Sequence, residues 1–321
     1  MRSIVRLLTV ALLVLGVVLV AFWYERPGLG EYHQHLIPRT SDMHPRALRA
    51  TWLGVTALLL DDGAHAVMID PFFTRPPGLM ALALNRTIEP NETLIKDWLA
   101  RLKVTKLDAV LVSHSHFDHA MDAGVVARLT GARLIGSEST LNIGRGAGMD
   151  EAHLVKASRS TLTFGEFRVT FVESAHAGAT GGKPLGEITE PLVPPAHYLD
   201  YKLGGTYSIL VAHPQGSILH HGSAGFVPGA LEGQHADVAF LGVALIDRME
   251  PYLRETVDAV GASRVVPVHW DDFTKPLQDG MVPIPFAVHL DEFFADMRRL
   301  RPSLQVQTML PERTVLLFPA K

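Results

Sequence analysis

The chemistry in this chain concentrates in one segment, Leu111-Val112-Ser113-His114-Ser115-His116-Phe117-Asp118-His119. An apolar run ends, and three imidazoles and a carboxylate follow within six residues. On extended backbone, His114 and His116 stand two apart and their rings point to one side. The chain then turns, so Asp118 and His119 approach a neighbouring position. One cation can take His114 and His116, and a second can take Asp118 and His119. Neutral imidazole with carboxylate suits zinc, with iron or manganese as alternatives. There is no Cys, which excludes disulfides, thiolate catalysis and Cys-type zinc sites. A transition-metal site here must therefore draw on carboxylates and the 16 His residues.

Each cation needs further ligands, and these should also lie at strand ends. His176 follows the apolar run Val169–Val172, and His269 follows Val265-Val266-Pro267-Val268 and precedes Trp270. Both are expected to complete the ligand sets. Asp118 and His116 are expected to carry the chemistry, with Asp118 orienting the attacking water or handling its proton.

The elements that must position these residues alternate between short β-rich runs and helical patterns. Val55–Leu60 and Ala66–Ile69 flank Asp61-Asp62-Gly63 and read as a hairpin. Asn91 reads as the N-cap of a helix running to about Leu102. Leu107–Val112 reads as a buried strand backed by a helix near Met121–Leu129. Further strands are expected at Phe167–Val172, Tyr207–Val211, Ser217–Leu219, Ala239–Val243, Val265–Val268 and Val315–Phe318, and helices at Glu255–Val260 and Leu290–Leu300. Gly144-Arg145-Gly146-Ala147-Gly148 follows no strand in a nucleotide-binding context and reads as a turn. Residues 177–205 and 274–288 are rich in Gly or Pro and read as functional loops.

Three stretches divide the chain. Residues 1–24 include Leu7–Tyr24, 18 uncharged residues preceded by Arg2 and Arg6 and closed by Phe22-Trp23-Tyr24. This pattern predicts one transmembrane helix, or alternatively a cleaved signal segment, with everything after it outside the cytoplasm. Residues 25–50 read as a linker with solvated His33 and His35, and residues 51–321 as the catalytic domain. Apolar residues make up 47% of the chain and charged residues 19%, which allows a sizeable core and excludes global disorder. The net charge is −4 without basic blocks, which argues against nucleic acid as a partner.

His114-x-His116-x-Asp118-His119, with His176 and His269 at later strand ends, resembles the metallo-β-lactamase superfamily. Trp52-Leu53-Gly54 opening a hairpin and Ile69-Asp70-Pro71 closing it are similar to the branch that contains ascorbate-6-phosphate lactonases and N-acyl-phosphatidylethanolamine phospholipase D. The resemblance covers about residues 50–320. It implies a mixed α/β fold, a four-layer αββα sandwich with the metal site at one edge of its two sheets. It also implies that Asp70 steadies the ligands from behind. Two departures stand out. Most dinuclear members carry a bridging Asp in a Gly-flanked turn, where this chain has Gly222-Ser223-Ala224-Gly225. With Ser223 there, three arrangements are open: one tight cation, two with a weaker second, or His220 or His221 substituting as a ligand. Val55 stands where the related branch often has His.

A site of this kind polarises a carbonyl or phosphoryl oxygen and generates hydroxide from water near neutral pH. The reaction expected is hydrolysis of an ester, lactone, amide or phosphoester in a small-molecule or lipid-derived substrate. Tyr207, His197 and Tyr201, in or beside the long loop, are candidates to touch the leaving group. No Gly-x-Ser-x-Gly elbow or phosphate-binding Gly-x-x-x-x-Gly-Lys loop is present. Di-iron redox relatives carry Glu where this chain has His116, which disfavours a redox role. The alternative is a membrane-tethered binding or sensor domain with a decayed site, and Ser223 is its only support. The sequence leaves the oligomeric state open.

Overall fold

The computed structural model describes residues 2–24, 29–38, 44–76, 78–178, 184–277, 282–284 and 288–318. Two seven-stranded sheets organise the chain. The first runs, in spatial order, Thr314–Leu316, Arg49–Trp52, Leu58–Asp61, Ala66–Ile69, Ala109–Leu111, Arg133–Gly136 and Leu154–Lys156. Its first three pairings are antiparallel and its last three parallel. The second sheet repeats that plan from its other end. Leu162–Phe164, Phe167–Glu173, Tyr207–His213 and Gly216–His221 pair antiparallel. Val238–Gly242, Arg264–Val268 and Gln305–Val306 then continue in parallel.

The two-residue period of a strand separates the layers. Leu58 and Leu60 face the second sheet and share a core with Phe171, Ile209 and Ile218. Leu59, between them, points the other way, into a core with Trp98, Leu99, Val126 and Ile143 from the helices on the outer face. Those helices are Glu92–Arg101, Ala123–Thr130 and Glu138–Gly146. Val257, Phe293 and Met297 cover the second sheet from Arg254–Asp258 and Leu290–Leu300. The sequence patterns set these elements with small boundary shifts. Asn91 does cap its helix, its side chain accepting from the Leu94 N–H at 3.0 Å. The Asp61–Gly63 turn is fixed by Asp62 Oδ1, which accepts from the Ala64 and His65 N–H groups at 2.8 and 2.7 Å.

Three expectations are corrected. Arg2–Tyr24 is helical, but among the described residues no helix is long and apolar enough to cross a membrane. This finding overturns the expected single-pass anchor, on which the expected placement of the catalytic domain rested. The described part of the expected linker is packed: Tyr32 and Ile37 are buried in the core, and the Tyr32 and His35 rings stack on Phe294, each at 4.6 Å. Gly144 and Gly146 end a helix instead of forming a turn. Both positions need glycine for closeness: a Cβ at Gly144 would stand 2.6 Å from Leu134 Cδ2, and one at Gly146 1.8 Å from the Leu192 carbonyl oxygen.

Candidate metal centre

The site gathers at the C-terminal ends of strands from both sheets. Asp70 follows Ala66–Ile69, and the His114–His119 segment follows Ala109–Leu111. From the second sheet, His176 follows Phe167–Glu173, Ser223 follows Gly216–His221, and His269 follows Arg264–Val268. These strands run the same way within each sheet, so their ends share one edge.

Six of the residues singled out in the sequence meet there in two groups, each with ligand atoms within 4.8 Å of one another. His114, His116 and His176 form the first, and Asp118, His119 and His269 the second. In the first, each pair of rings is packed edge to face, with centroids 4.8–4.9 Å apart. In the second, His119 Nε2 and His269 Nε2 are 3.2 Å apart, and Asp118 Oδ2 lies 3.6 and 3.3 Å from them. The groups adjoin, since the His114 and His119 ring centroids are 3.9 Å apart.

A carboxylate network behind the second group fixes its geometry. Asp70 is fully buried and accepts from the Ser113 N–H at 2.7 Å, Ser113 Oγ at 2.6 Å and Thr56 Oγ1 at 2.8 Å. Its Oδ2 also lies 2.9 Å from His119 Nδ1. A carboxylate only accepts, so His119 carries its proton on Nδ1 and turns a bare Nε2 toward Asp118 and His269. His269 is held by its backbone: at φ +58° its N–H donates to the Val55 carbonyl at 2.7 Å. Val55 is itself at φ +46°, a costly conformation for a β-branched residue, and its N–H donates to Asp271 Oδ1 at 2.7 Å. A buried Arg75 closes the chain of contacts, with Nη1 donating to Asp271 Oδ2 at 2.8 Å. Gly222 and Gly225 let the second sheet's loop approach. A Cβ at Gly222 would stand 2.8 Å from Ser113 Oγ, and one at Gly225 2.4 Å from the His176 backbone.

The electrostatics suit cation binding. Burial pushes His114 well below its ordinary range, and the neighbouring imidazoles push it further, so it is neutral. Its Nε2 is buried without a hydrogen-bond partner, a costly state for a polar atom unless a ligand completes it. Burial alone would raise Asp118, but His119 and His269 outweigh it and hold the carboxylate below its usual range. Burial would lower His119, and Asp118 and Asp70 reverse this and raise it. Three imidazoles in one group and a carboxylate with two imidazoles in the other fit divalent metal ions.

Both groups open onto a cleft of about 200 Å³, lined by His116, Asp118, His176 and His269 among others. Ser223 lines it too but belongs to neither group, and its hydroxyl accepts from the Ala177 N–H at 3.0 Å. His220 and His221 join neither group, and His220 Nδ1 is buried without a hydrogen-bond partner. His220 Nε2 is 2.8 Å from the Thr56 carbonyl, while His221 lies 2.7 Å from both Ser208 Oγ and the Gly225 carbonyl. Of the long-loop residues, Tyr201 is fully buried, His197 Nδ1 lies 2.7 Å from the Asn85 carbonyl, and Tyr207 packs on Phe171; none lines the cleft. Tyr198 lines it instead, its ring against Phe117 at 4.9 Å and its hydroxyl pushed up to about 12 by burial and the Asp118 charge. Thr56, Arg75 and Asp271 also escaped the sequence reading. Thr56 had a signal, a hydroxyl set in an otherwise apolar hairpin.

Fold and site together define a metal-dependent hydrolase, and residues 50–316 match the model of the Metallo-beta-lactamase superfamily. The chain belongs to that family. Among its relatives, a UPF0173 metal-dependent hydrolase of Pyrobaculum islandicum is 26% identical over 240 residues, covering 72% of this chain and 88% of the relative. Another, from Myxococcus xanthus, is 26% identical over 278 residues, covering 83% and 82%. Solved structures with the same fold include Igni18, a metallo hydrolase from Ignicoccus hospitalis (TM-score 0.54, 17% identity, covering 84% of this chain and 97% of that one). The metallo-beta-lactamase fold protein YhfI from Bacillus subtilis is a second (TM-score 0.52, 13% identity, 84% and 99%).

Proposed function

We propose that this hydrolase cleaves an ester, lactone or phosphoester bond in a small-molecule substrate, using one or two zinc ions. His114, His116 and His176 would hold one ion, and Asp118, His119 and His269 the other. The observation that carries this reading is the convergence of six ligand-type side chains in two groups, four of them lining one cleft. A bound divalent cation would supply Lewis acidity toward the scissile oxygen and a water acidic enough to react near neutral pH.

The chain's own residues do the rest. Asp118 is ionised and borders the cleft, where it can orient the attacking water and take its proton. Asp70 and Thr56 hold His119 in one tautomer, and Val55 with Asp271 and Arg75 sets the position of His269. Tyr198 Oη is a neutral donor at the cleft wall, available to a substrate oxygen as negative charge develops on it.

The test is His116→Ala. Turnover of a panel of esters, lactones and phosphodiesters should fall to background and bound metal should drop, with a circular-dichroism spectrum like that of the wild type. Substantial residual turnover would show that the chemistry lies elsewhere. Elemental analysis of the purified wild type would separate zinc from iron or manganese.

A further inference from the structure

The wall of the cleft carries information about the substrate that its floor does not. Phe117, Leu245, Phe273 and Ile284 line it, with Pro184 near His116. Among the described residues that line the cleft there is no Lys or Arg, and the fixed charge there is the Asp118 carboxylate. The described lining therefore offers a phosphate group no side-chain cation and sets a carboxylate before it. Binding sites for phosphoryl groups ordinarily add Arg, Lys or a helix N-terminus to any metal.

A second observation concerns Leu245. Its backbone is at φ +61°, the left-handed region that favours Gly and Asn. Strain of this kind persists only where the surroundings hold it, and it clusters at functional sites. Here the strained residue is a large apolar one that lines the cleft.

Resting on the hydrolase reading above, we infer that the cleft takes an uncharged carboxylic ester or lactone bearing an apolar chain, with the chain against Leu245, Phe273 and Ile284 and Tyr198 donating to a substrate oxygen. In the reaction, the oxygen of water bonds to the carbonyl carbon and the acyl C–O bond breaks. One water proton ends on the leaving alkoxide, and the carboxylic acid formed releases the other to solvent.

The experiment uses the full chain loaded with zinc. It compares 4-nitrophenyl esters from acetate to decanoate and γ-lactones of increasing tail length with 4-nitrophenyl phosphate and bis(4-nitrophenyl) phosphate. Binding of hydrolysis-inert 2-alkanones from butanone to decanone is followed by calorimetry. We expect kcat/KM and ketone affinity to rise about two- to fourfold per methylene until the cleft is full. Both phosphoesters should react on the order of a hundredfold more slowly than the best ester. Leu245→Asn suits the backbone, so its urea midpoint should stay near the wild type while the gain per methylene shrinks. Tyr198→Phe should lower kcat for esters about tenfold or more with little change in KM. Faster phosphodiester turnover, or rates and affinities indifferent to chain length, would overturn the inference and leave the hydrolase reading standing. No turnover of any class would overturn the hydrolase reading, and the ketone series would still decide the apolar cleft: a rising affinity supports it and a flat one rejects it.

Discussion

The two groups of ligand-type residues share a wall and differ in what stands behind them. His114, His116 and His176 are all imidazole. Their outward partners are ordinary ones: Ser113 Oγ lies 3.2 Å from His114, the Pro184 carbonyl 3.3 Å from His116, and the Ala177 carbonyl 3.2 Å from His176. Asp118, His119 and His269 include a charge and are rooted in buried carboxylates, Asp70 behind His119 and Asp271 behind Val55. A dication leaves the first group at +2 and the second at +1. The carboxylates that attract a cation to the second group also raise His119 and so attract a competing proton, whereas His114 is pushed the other way. Ser223 lines the same cleft, and its neutral hydroxyl does not offset repulsion between two dications. Fixing and proton competition go together here: the second group is the better fixed, and at His119 it also attracts the proton that His114 repels.

The largest expected effect removes the fixing. Asp70→Asn keeps the size of the side chain but puts a donor or a neutral acceptor opposite His119 Nδ1 and Ser113. Loss of such a partner typically costs 10–100-fold in metal affinity or activity. The loss should fall on the second group, measured as a weakened second binding step in a zinc titration. An equal loss at both steps would mean that Asp70 supports the loop as a whole.

How far the sequence foretold these groups follows from what is local. The His114–His119 segment is legible because its spacing is read on one strand end and one turn. His176 and His269 were reachable because each closes a recognisable β run. Helix Leu290–Leu300 and the hairpin around Asp62 were legible from period and turn chemistry alone. What escaped is tertiary. Tyr198 and Tyr201 lie three residues apart in one loop, and only the path of that loop decides which enters the cleft and which is buried. Arg75 and Asp271 are 196 positions apart and nothing local marks them as a pair. Gly144 and Gly146 misled because glycine serves close packing as well as turns.

A smaller effect sharpens the view of the scaffold. Asp122 is fully buried and accepts from the Phe73 and Thr74 N–H groups, each at 2.7 Å, just beyond the Asp70 turn. Burial raises its carboxyl to about 6, against backbone hydrogen bonds that oppose the shift. Between about pH 4 and 6 the folded protein therefore keeps a proton that the unfolded chain has released. Asp122 thus contributes stability below pH 4 that is lost as pH rises through 6. Asp122→Asn should abolish this, flattening the stability difference between pH 4.5 and 7 by about 1–2 kcal/mol in urea unfolding. An unchanged pH slope would place the proton elsewhere.

The most direct test of the account is a zinc titration of chelator-stripped protein, wild type and Ser223→Asp side by side, with bound metal and ester turnover read at each addition. The account predicts no turnover without metal, a tight first equivalent in the wild type that restores most of the activity, and a weak second. In Ser223→Asp the second equivalent should become tight, because a carboxylate can give an oxygen to each ion. Full turnover by the stripped protein, or two equally tight ions in the wild type unchanged by the substitution, would contradict it.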